Sequence, residues 1–310
     1  MTNTGQPIVY ILVLNYCSLE DTLACVESIR HISYQNLKLL VIDNNSPDGS
    51  GKILGSKIPD HEFLQLPENT GYAGGNNTGF KKALDNSADY ILVVNPDVRL
   101  LPDSIMRYVE ILERDKEIGA LNPIQLSADG QSIDESFSRS ILPSSSPYRP
   151  DLFSGLNEVK SLFGASLMLP ARTIKQVGGF DPLFFAYGEE EDLCRRIRRR
   201  GLKLVVTTEA PVIHKRTKEN RVISDFVLFL RLKGAYLYNL KNPALGFRFA
   251  LKHFARDFIH DVQGKRSNTY PFNRYPVKSR HVLRSGFWII RNLLSIRQHR
   301  KLDQTSGPYV

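Results

Sequence analysis

Seven consecutive apolar positions, "IVYILVL" at residues 8–14, stand near the start of the chain without a polar break. A strand with one wet face would alternate, so an unbroken run rich in β-branched residues predicts a strand covered on both faces of a parallel sheet. The period then changes. Leu19, Leu23, Val26 and Ile29 recur at helical spacing behind Ser18, a residue type suited to an N-cap, before a second apolar run at 37–43, "LKLLVID". A helix over 50–56, a short strand at "FLQLP", a helix from about 75 to 86 and a strand "YILVVN" at 90–95 follow. Serial βα units of this kind predict an α/β fold with a doubly wound sheet, in which a ligand sits beyond the carboxyl ends of the strands.

The residues just past those strands are polar. The first strand ends in Asn15 and Tyr16, the second in "DNNS" with Asp43 and Asn45, and the strand at 90–95 runs into "NPD" with Asn95 and Asp97. Singly, such residues serve turns and caps as readily as ligands. Three polar ends on one rim point to a site. The segment "ENTGYAGGNNTG" at 68–79 reads as a loop whose glycines at 71, 74, 75 and 79 permit positive φ and close approach of a ligand, flanked by Asn69 and Asn77. Its spacing is not GxGxxG and it does not follow the first strand, so a dinucleotide fingerprint is not supported.

A run of four acids followed by arginines, "GEEEDLCRRIRRRG", occupies 188–201. On a helix turning ~100° per residue, Leu193, Cys194 and Ile197 define an apolar face with Glu190 near its centre and Glu189 at its edge. Glu191 and Asp192 point away, where pairing with Arg195 and Arg196 predicts surface ion pairs worth under ~1 kcal/mol each. A carboxylate on a buried face costs free energy unless it is paired or used, and burial raises its pKa toward the range of a general base. Glu190 is therefore the candidate base.

Composition narrows the setting. A chain of 310 residues can bury a full core, and its charge of +9 with a pI near 9.4 predicts an anionic partner. Three cysteines at 17, 25 and 194 have no metal-like spacing and predict a reducing, cytoplasmic setting. The first apolar run is far shorter than the ~20 residues of a membrane span and has no basic leader before it. A serine and proline cluster, "LPSSSPYRP", lies at 142–150.

Five motifs together resemble the family 2 glycosyltransferases with the GT-A fold, nearest their rhamnosyltransferase-like branch. They are "VLNY" with "DNNS", "NTGYAGGNNTG", "VVNPDV" at 93–98, "GGFDPLFFAYGEEEDLCRRIRRRG" at 178–201 and "PVIHK" at 211–215, in order over roughly residues 8–215. The resemblance implies a Rossmann-like mixed sheet flanked by helices. It also implies transfer of a sugar, such as rhamnose or another hexose, from a nucleoside-diphosphate sugar to an acceptor hydroxyl with inversion, in synthesis of bacterial surface polysaccharide or glycolipid. Residues 1–220 would form the catalytic domain, with a nucleotide-sugar half to about 125 and an acceptor half after it.

Residue by residue, the resemblance places Asp43, Asn15, Tyr16 and Asn45 in the nucleotide pocket, with Asn69, Gly71 and Asn77 along the nucleotide. Asp97 matches the last acid of a DxD-type element whose first acid is here Asn95, and His214 matches a further metal ligand or, alternatively, a strand-end cap. These imply Mg²⁺ or Mn²⁺ at the diphosphate, where it stabilises the leaving charge. Glu190 stands where the family has the base, usually Asp, and the extra methylene leaves Glu189 or Glu191 as alternatives. Gly164 and Ala165, in "LFGASLMLPAR", leave room for the sugar ring or serve close strand packing.

Beyond about 220 the resemblance fades and basic and aromatic residues interleave in three helical stretches, a basic extension over 221–310. The segment "GFWIIRNLLSIRQHRK" at 286–301 has an apolar face with cationic ends. It suits an anionic membrane surface, packing on the catalytic domain, or a homodimer. No nucleic-acid motif is present. A glycan or lipid-linked glycan is the implied acceptor, and a non-catalytic nucleotide-sugar or glycan-binding protein is the alternative function.

Overall fold

A computed structural model describes residues 5–141, 155–215, 223–265 and 275–310; the serine and proline cluster lies outside them. Among the described residues nine strands, β1 (Val9–Asn15), β2 (Leu37–Asp43), β3 (Glu62–Gln65), β4 (Tyr90–Val94), β5 (Val98–Arg99), β6 (Ile118–Leu126), β7 (Leu156–Glu158), β8 (Ser166–Pro170) and β9 (Lys203–His214), form one sheet. Its order is β3-β2-β1-β4-β8-β6-β9-β5, with β7 beside β9. The first four strands in this order are mutually parallel, and β8 is antiparallel to both β4 and β6. The sheet is thus mixed, and the strand order turns back at β1, opening a crevice at the ends of β1, β2 and β4.

The helices are α1 (Leu19–Arg30), α2 (Ser50–Lys57), α3 (Gly71–Asp85), α4 (Ser104–Arg114), α5 (Glu135–Ile141), α6 (Ala171–Val177), α7 (Glu189–Arg199), α8 (Asp225–Leu240), α9 (Phe247–Val262), α10 (Ser279–Arg291) and α11 (Leu293–Leu302). They explain the unbroken apolar run of β1. Val9, Ile11 and Val13 enter a core with Val26, Ile29, Tyr108 and Leu112 of α1 and α4. Tyr10, Leu12 and Leu14 enter a second core with Phe80 of α3, Ile174 of α6 and Leu193 and Ile197 of α7. Each such buried side chain contributes on the order of 1.5–3 kcal/mol.

Helix α3 begins at Gly71, four residues before the expected start, so most of the glycine segment is helical. Gly71 alone among its glycines has positive φ, +73°. A Cβ at Gly75 or Gly79 would meet Leu14 at 2.6 Å or Leu12 at 2.7 Å. These two glycines therefore let the helix lie close on the sheet, at a propensity cost of ~1 kcal/mol each. Ser18 makes no side-chain cap; Asn15 Oδ1 accepts from the Ser18 N–H and the Thr22 hydroxyl instead.

The last four helices surround a third core of Leu232, Leu237, Val282, Ile289 and Ile296, into which Phe184 inserts from the segment before α7. The stretch 286–301 is two helices, broken at Asn292. This layer overturns the expected surface ion pairs of α7. Asp192 is 0% and Arg196 4% exposed, because α8 and the segment after α11 cover that face. Asp192 accepts from Arg195 at 2.7 Å and Arg196 at 3.0 Å, while Lys241 Nζ lies 3.3 Å from Asp192 and 3.1 Å from Asp303 and is also paired with Asp181. His299 Nδ1 completes the network, 2.7 Å from Asp181.

Candidate active site

The strand ends meet as the sequence predicts, but their side chains divide the work. Asp43 is fully buried and accepts from Asn15 Nδ2 at 2.6 Å, Ser46 N at 2.9 Å, Ser46 Oγ at 2.6 Å and Gln65 Nε2 at 2.6 Å. Burial alone would raise its pKa; these hydrogen bonds outweigh burial and hold the carboxyl below its usual range. Tyr16 stands exposed at the rim, and Asn45 is exposed in left-handed backbone at φ +57°. Its neighbour Asn44 is the buried one. Asn44 Nδ2 donates to Asn69 Oδ1 at 3.0 Å and Gly71 O at 3.1 Å, and Asn44 Oδ1 accepts from Thr70 N at 3.0 Å. Asn69 Oδ1 also accepts from Gly71 N at 2.9 Å, so this pair of amides builds the turn into α3.

Asn77 lies on α3 and gives both polar atoms to the Phe180 backbone, at 2.7 and 2.8 Å. It ties the helix to the segment leading to the acids.

Past β4, Asn95 N donates to Ala165 O at 2.9 Å, which fixes the "NPD" turn beside the residues preceding β8. Asp97 Oδ2 then lies 3.2 Å from His214 Nε2. The sheet enforces this meeting, since Val98 pairs in register with His214 across β5 and β9. His214 is 1% exposed, and its Nδ1 is 4.0 Å from Asp134 Oδ2.

Gly164 and Ala165 are buried, and a Cβ at 164 would overlap Glu190 Oε1. The Gly164 carbonyl accepts from the Tyr72 hydroxyl at 2.8 Å. A continuous path therefore runs from Asp97 through Asn95, Ala165 and Gly164 to the Glu190 carboxyl. Glu190 is half-buried at the start of α7, and its pKa is pushed up to about 8 by burial and by the neighbouring Glu191. Glu189 is the most buried of the three glutamates, at 2% exposure, not at the edge of the face as projected. Its Oε2 has no hydrogen-bond partner, and burial followed by the charge of Glu190 holds its pKa well above the ordinary value. Glu191 is exposed.

The family model described as "Glycosyl transferase family group 2" matches residues 90–293, and that described as "Glycosyl transferase family 2" matches residues 9–158. The chain belongs to the family 2 glycosyltransferases. This transferase is 26% identical over 235 residues to the low-salt glycan biosynthesis hexosyltransferase Agl10 of Haloferax volcanii, covering 73% of this chain and 74% of that one. It is 27% identical over 203 residues to the N-acetylglucosaminyl-diphospho-decaprenol L-rhamnosyltransferase of Mycobacterium tuberculosis, covering 57% of this chain and 66% of that one, just under two thirds. It is 23% identical over 262 residues to rhamnosyltransferase WbbL of Escherichia coli, covering 78% and 96%.

In fold it is similar to the mannosyltransferase PcManGT of Pyrobaculum calidifontis in complex with GDP-Man and Mn²⁺, with a TM-score of 0.57 and 13% identity over 94% of this chain and 88% of that one. GalNAc-T7 with UDP, GalNAc and Mn²⁺ gives a TM-score of 0.61 at 13% identity over 97% of this chain and 59% of that one. The transferase has the GT-A architecture.

Two places test its capacity for a metal. Among the described residues, Asp181, Asp192 and Asp303 are one group of acids spaced to share an ion, but the Lys241 ammonium already stands among them. Asp97 and His214 fit better. Their facing atoms, a carboxylate oxygen and an imidazole nitrogen 3.2 Å apart, are donor types that a divalent cation accepts.

Sequence reasoning missed Asn44, Asp134 and Asn122. Asn122 is fully buried and its Oδ1 accepts from Phe163 N at 2.6 Å, while its Nδ2 donates to Ser166 O, so it shapes the chain either side of Gly164. Asn44 had a signal, since it shares the "DNNS" motif with the chosen Asn45.

Proposed function

We propose that this transferase moves a hexose, rhamnose being the foremost candidate, from a nucleoside-diphosphate sugar to a hydroxyl of a glycan or lipid-linked glycan, with inversion at the anomeric carbon. The observation that carries this reading is the Glu190 carboxyl lying against Gly164, one short stretch of chain from the Asn95–Asp97 turn. The bare Gly164 is what lets the Glu190 carboxyl lie there, since a Cβ at 164 would overlap its Oε1. Glu190, once ionised, accepts the proton of the acceptor hydroxyl. The acceptor oxygen forms the new bond to the anomeric carbon as the bond to the diphosphate oxygen breaks, and the nucleoside diphosphate leaves with that electron pair. A single displacement of this kind inverts the centre.

Asp97 and His214 would hold Mn²⁺ or Mg²⁺, which when bound supplies positive charge for the departing diphosphate. Tyr16 and Asn45 line the nucleotide side at the surface. Asp43 has all its acceptor positions filled by the protein, so it acts on the base through the Ser46 and Gln65 groups it orients. In this reading residues 1–220 serve catalysis, about 1–125 as the nucleotide-sugar half and about 126–220 as the acceptor half, with 221–310 a basic helical extension. The Asp97→Ala variant tests the donor half: titration with UDP, dTDP and GDP in Mn²⁺ should give native affinity without metal and at least a tenfold loss of the metal-dependent gain. Equal Mn²⁺ enhancement in native and variant protein would sink the assignment.

The C-terminal helices point to a membrane surface. No helix among the described residues is long and apolar enough to cross a membrane. Yet Leu283, Phe287, Ile290 and Leu294 follow one another at helical spacing with 40%, 66%, 50% and 79% exposure, and Arg280, Arg284, Arg291 and Arg297 flank them, all exposed. Such a stripe suits anionic headgroups, on the cytoplasmic face where a nucleotide sugar is available. Co-sedimentation with vesicles containing anionic lipid should fall about tenfold or more in Phe287→Ser/Leu294→Ser. Unchanged vesicle binding, or loss of a dimer in its place, would assign the stripe elsewhere.

A further inference from the structure

The segment that delivers Glu190 is strained and is gripped from two sides. Between Asp181 and α7, Phe185 has φ +64° and Tyr187 φ +70°, and Gly188 follows at φ +104°. Aromatic residues in left-handed backbone persist only where the surroundings fix them. The donor side does so through α3, whose Ala73 N donates to Phe185 O at 3.1 Å. The C-terminal layer does so through α8. Lys233 Nζ donates to Leu183 O at 3.0 Å, and Gly234 has no room for a Cβ against Tyr187 O. On the same helix the Arg231 guanidinium lies over the Tyr187 ring, 4.1 Å from its centre, and over the Tyr275 ring at 4.3 Å.

We propose that Arg231, although outside the motifs of the catalytic part, is a positioning residue of the active site: its stacking on Tyr187 fixes the turn into α7, and its charge stands beside Glu190. The inference rests on the reading of Glu190 as base. The groups that face Glu190 electrostatically are Glu189 and Glu191 on its own helix, Tyr187 before it, Cys194 one turn on, Tyr72 from α3 and Arg231 from α8. Arg231 is the cation of this set. It opposes burial and the neighbouring acid, and so favours the ionised form that a base requires. Helix α8 thus does two things at once. It closes the third core, and it ties the geometry and proton affinity of the base to the layer that would meet the acceptor.

The test compares Arg231→Gln, Arg231→Lys and Glu190→Gln in the full chain. Proton affinity is read by carboxyl ¹³C NMR titration of glutamate-labelled protein, with Glu190→Gln assigning the resonance. Turnover is read against pH with whichever of a panel of UDP-, dTDP- and GDP-hexoses supports transfer. Arg231→Gln should keep a folded far-UV spectrum and a donor KM within about twofold, while kcat falls on the order of ten- to a hundredfold. The Glu190 titration and the acidic limb of kcat should both move up by roughly half to one pH unit, and Arg231→Lys should restore them. A titration and limb unmoved in Arg231→Gln, with or without a fall in kcat, assigns Arg231 to folding alone and overturns the proposal. An acidic limb that persists in Glu190→Gln overturns the base assignment and the inference with it, whereas a limb lost in Glu190→Gln but unmoved in Arg231→Gln overturns the inference only.

Discussion

Two acids two positions apart on α7 meet opposite fates. Asp192 is entirely buried, yet Lys241, Arg196 and Arg195 outweigh the cost of burial and hold its carboxyl below the ordinary range. Glu190 keeps partial access to the cleft, has Arg231 as its facing cation, and is pushed up to about 8 by burial and Glu191. The fully paired acid is architecture: its charge is spent on joining the catalytic helix to the last helices. The poorly compensated acid is available for chemistry, because its proton is held weakly enough to be lost and strongly enough to be regained near neutral pH. Burial does not separate the two roles; compensation does.

The sharpest way to break this comparison is to remove the chemistry and keep the shape. Glu190→Gln should lower kcat by about 10²–10⁴-fold with a near-native melting temperature, the range typical for loss of a general base. Retained turnover at a tenth of native or better would place the proton transfer on Glu189 or Glu191. The converse change is Lys241→Met, which leaves Asp181, Asp192 and Asp303 facing one another without the cation they share. Removing one partner of a buried ionic network typically costs about 3–5 kcal/mol, which a shift of the urea midpoint would measure. An unchanged midpoint would mean that the network contributes nothing to stability.

The same pair of residues marks how far the sequence could be read. The runs at β1 and β4 were legible because their alternation between two cores leaves no polar position, a property of the strand itself. The polar strand ends were legible too, because each follows its apolar run directly, whereas the meeting of Glu190 with Gly164 joins two distant segments and was not. Asp192 was not. A helical projection contains only its own helix, and the face it marks as solvent is covered by Lys241, 49 residues later, and by the segment carrying Asp303. Asn292 divides a stretch that reads as one amphipathic helix, because the apolar spacing of Leu283, Phe287, Ile290 and Leu294 continues across the break. Gly71 to Gly79 read as a loop from intrinsic propensity, whereas close packing on Leu12 and Leu14 repays helix formation there.

A smaller effect sharpens the comparison by sign. Glu190 has a folded pKa of about 8 against 4.5 when unfolded, so the folded state holds its proton more tightly. Its contribution to stability is fully present below about pH 4.5 and is lost as pH rises through 8. Asp181 and Asp192 run the other way. Their folded pKa values are depressed, so their contribution is present above the ordinary carboxylate range and is lost on acidification. Melting curves of Glu190→Gln and native protein should therefore diverge with rising pH. The two should differ least near pH 5, and by pH 8 the variant should gain on the order of 1–2 kcal/mol relative to native, discounted for the partial exposure of the carboxyl. Lys241→Met should show no such rising gap, since its loss comes from acids already ionised across that window. A native stability that climbs steadily from pH 5 to 8, with Glu190→Gln parallel to it, would mean that Glu190 ionises as an ordinary surface carboxylate and that the contrast with Asp192 is one of place alone.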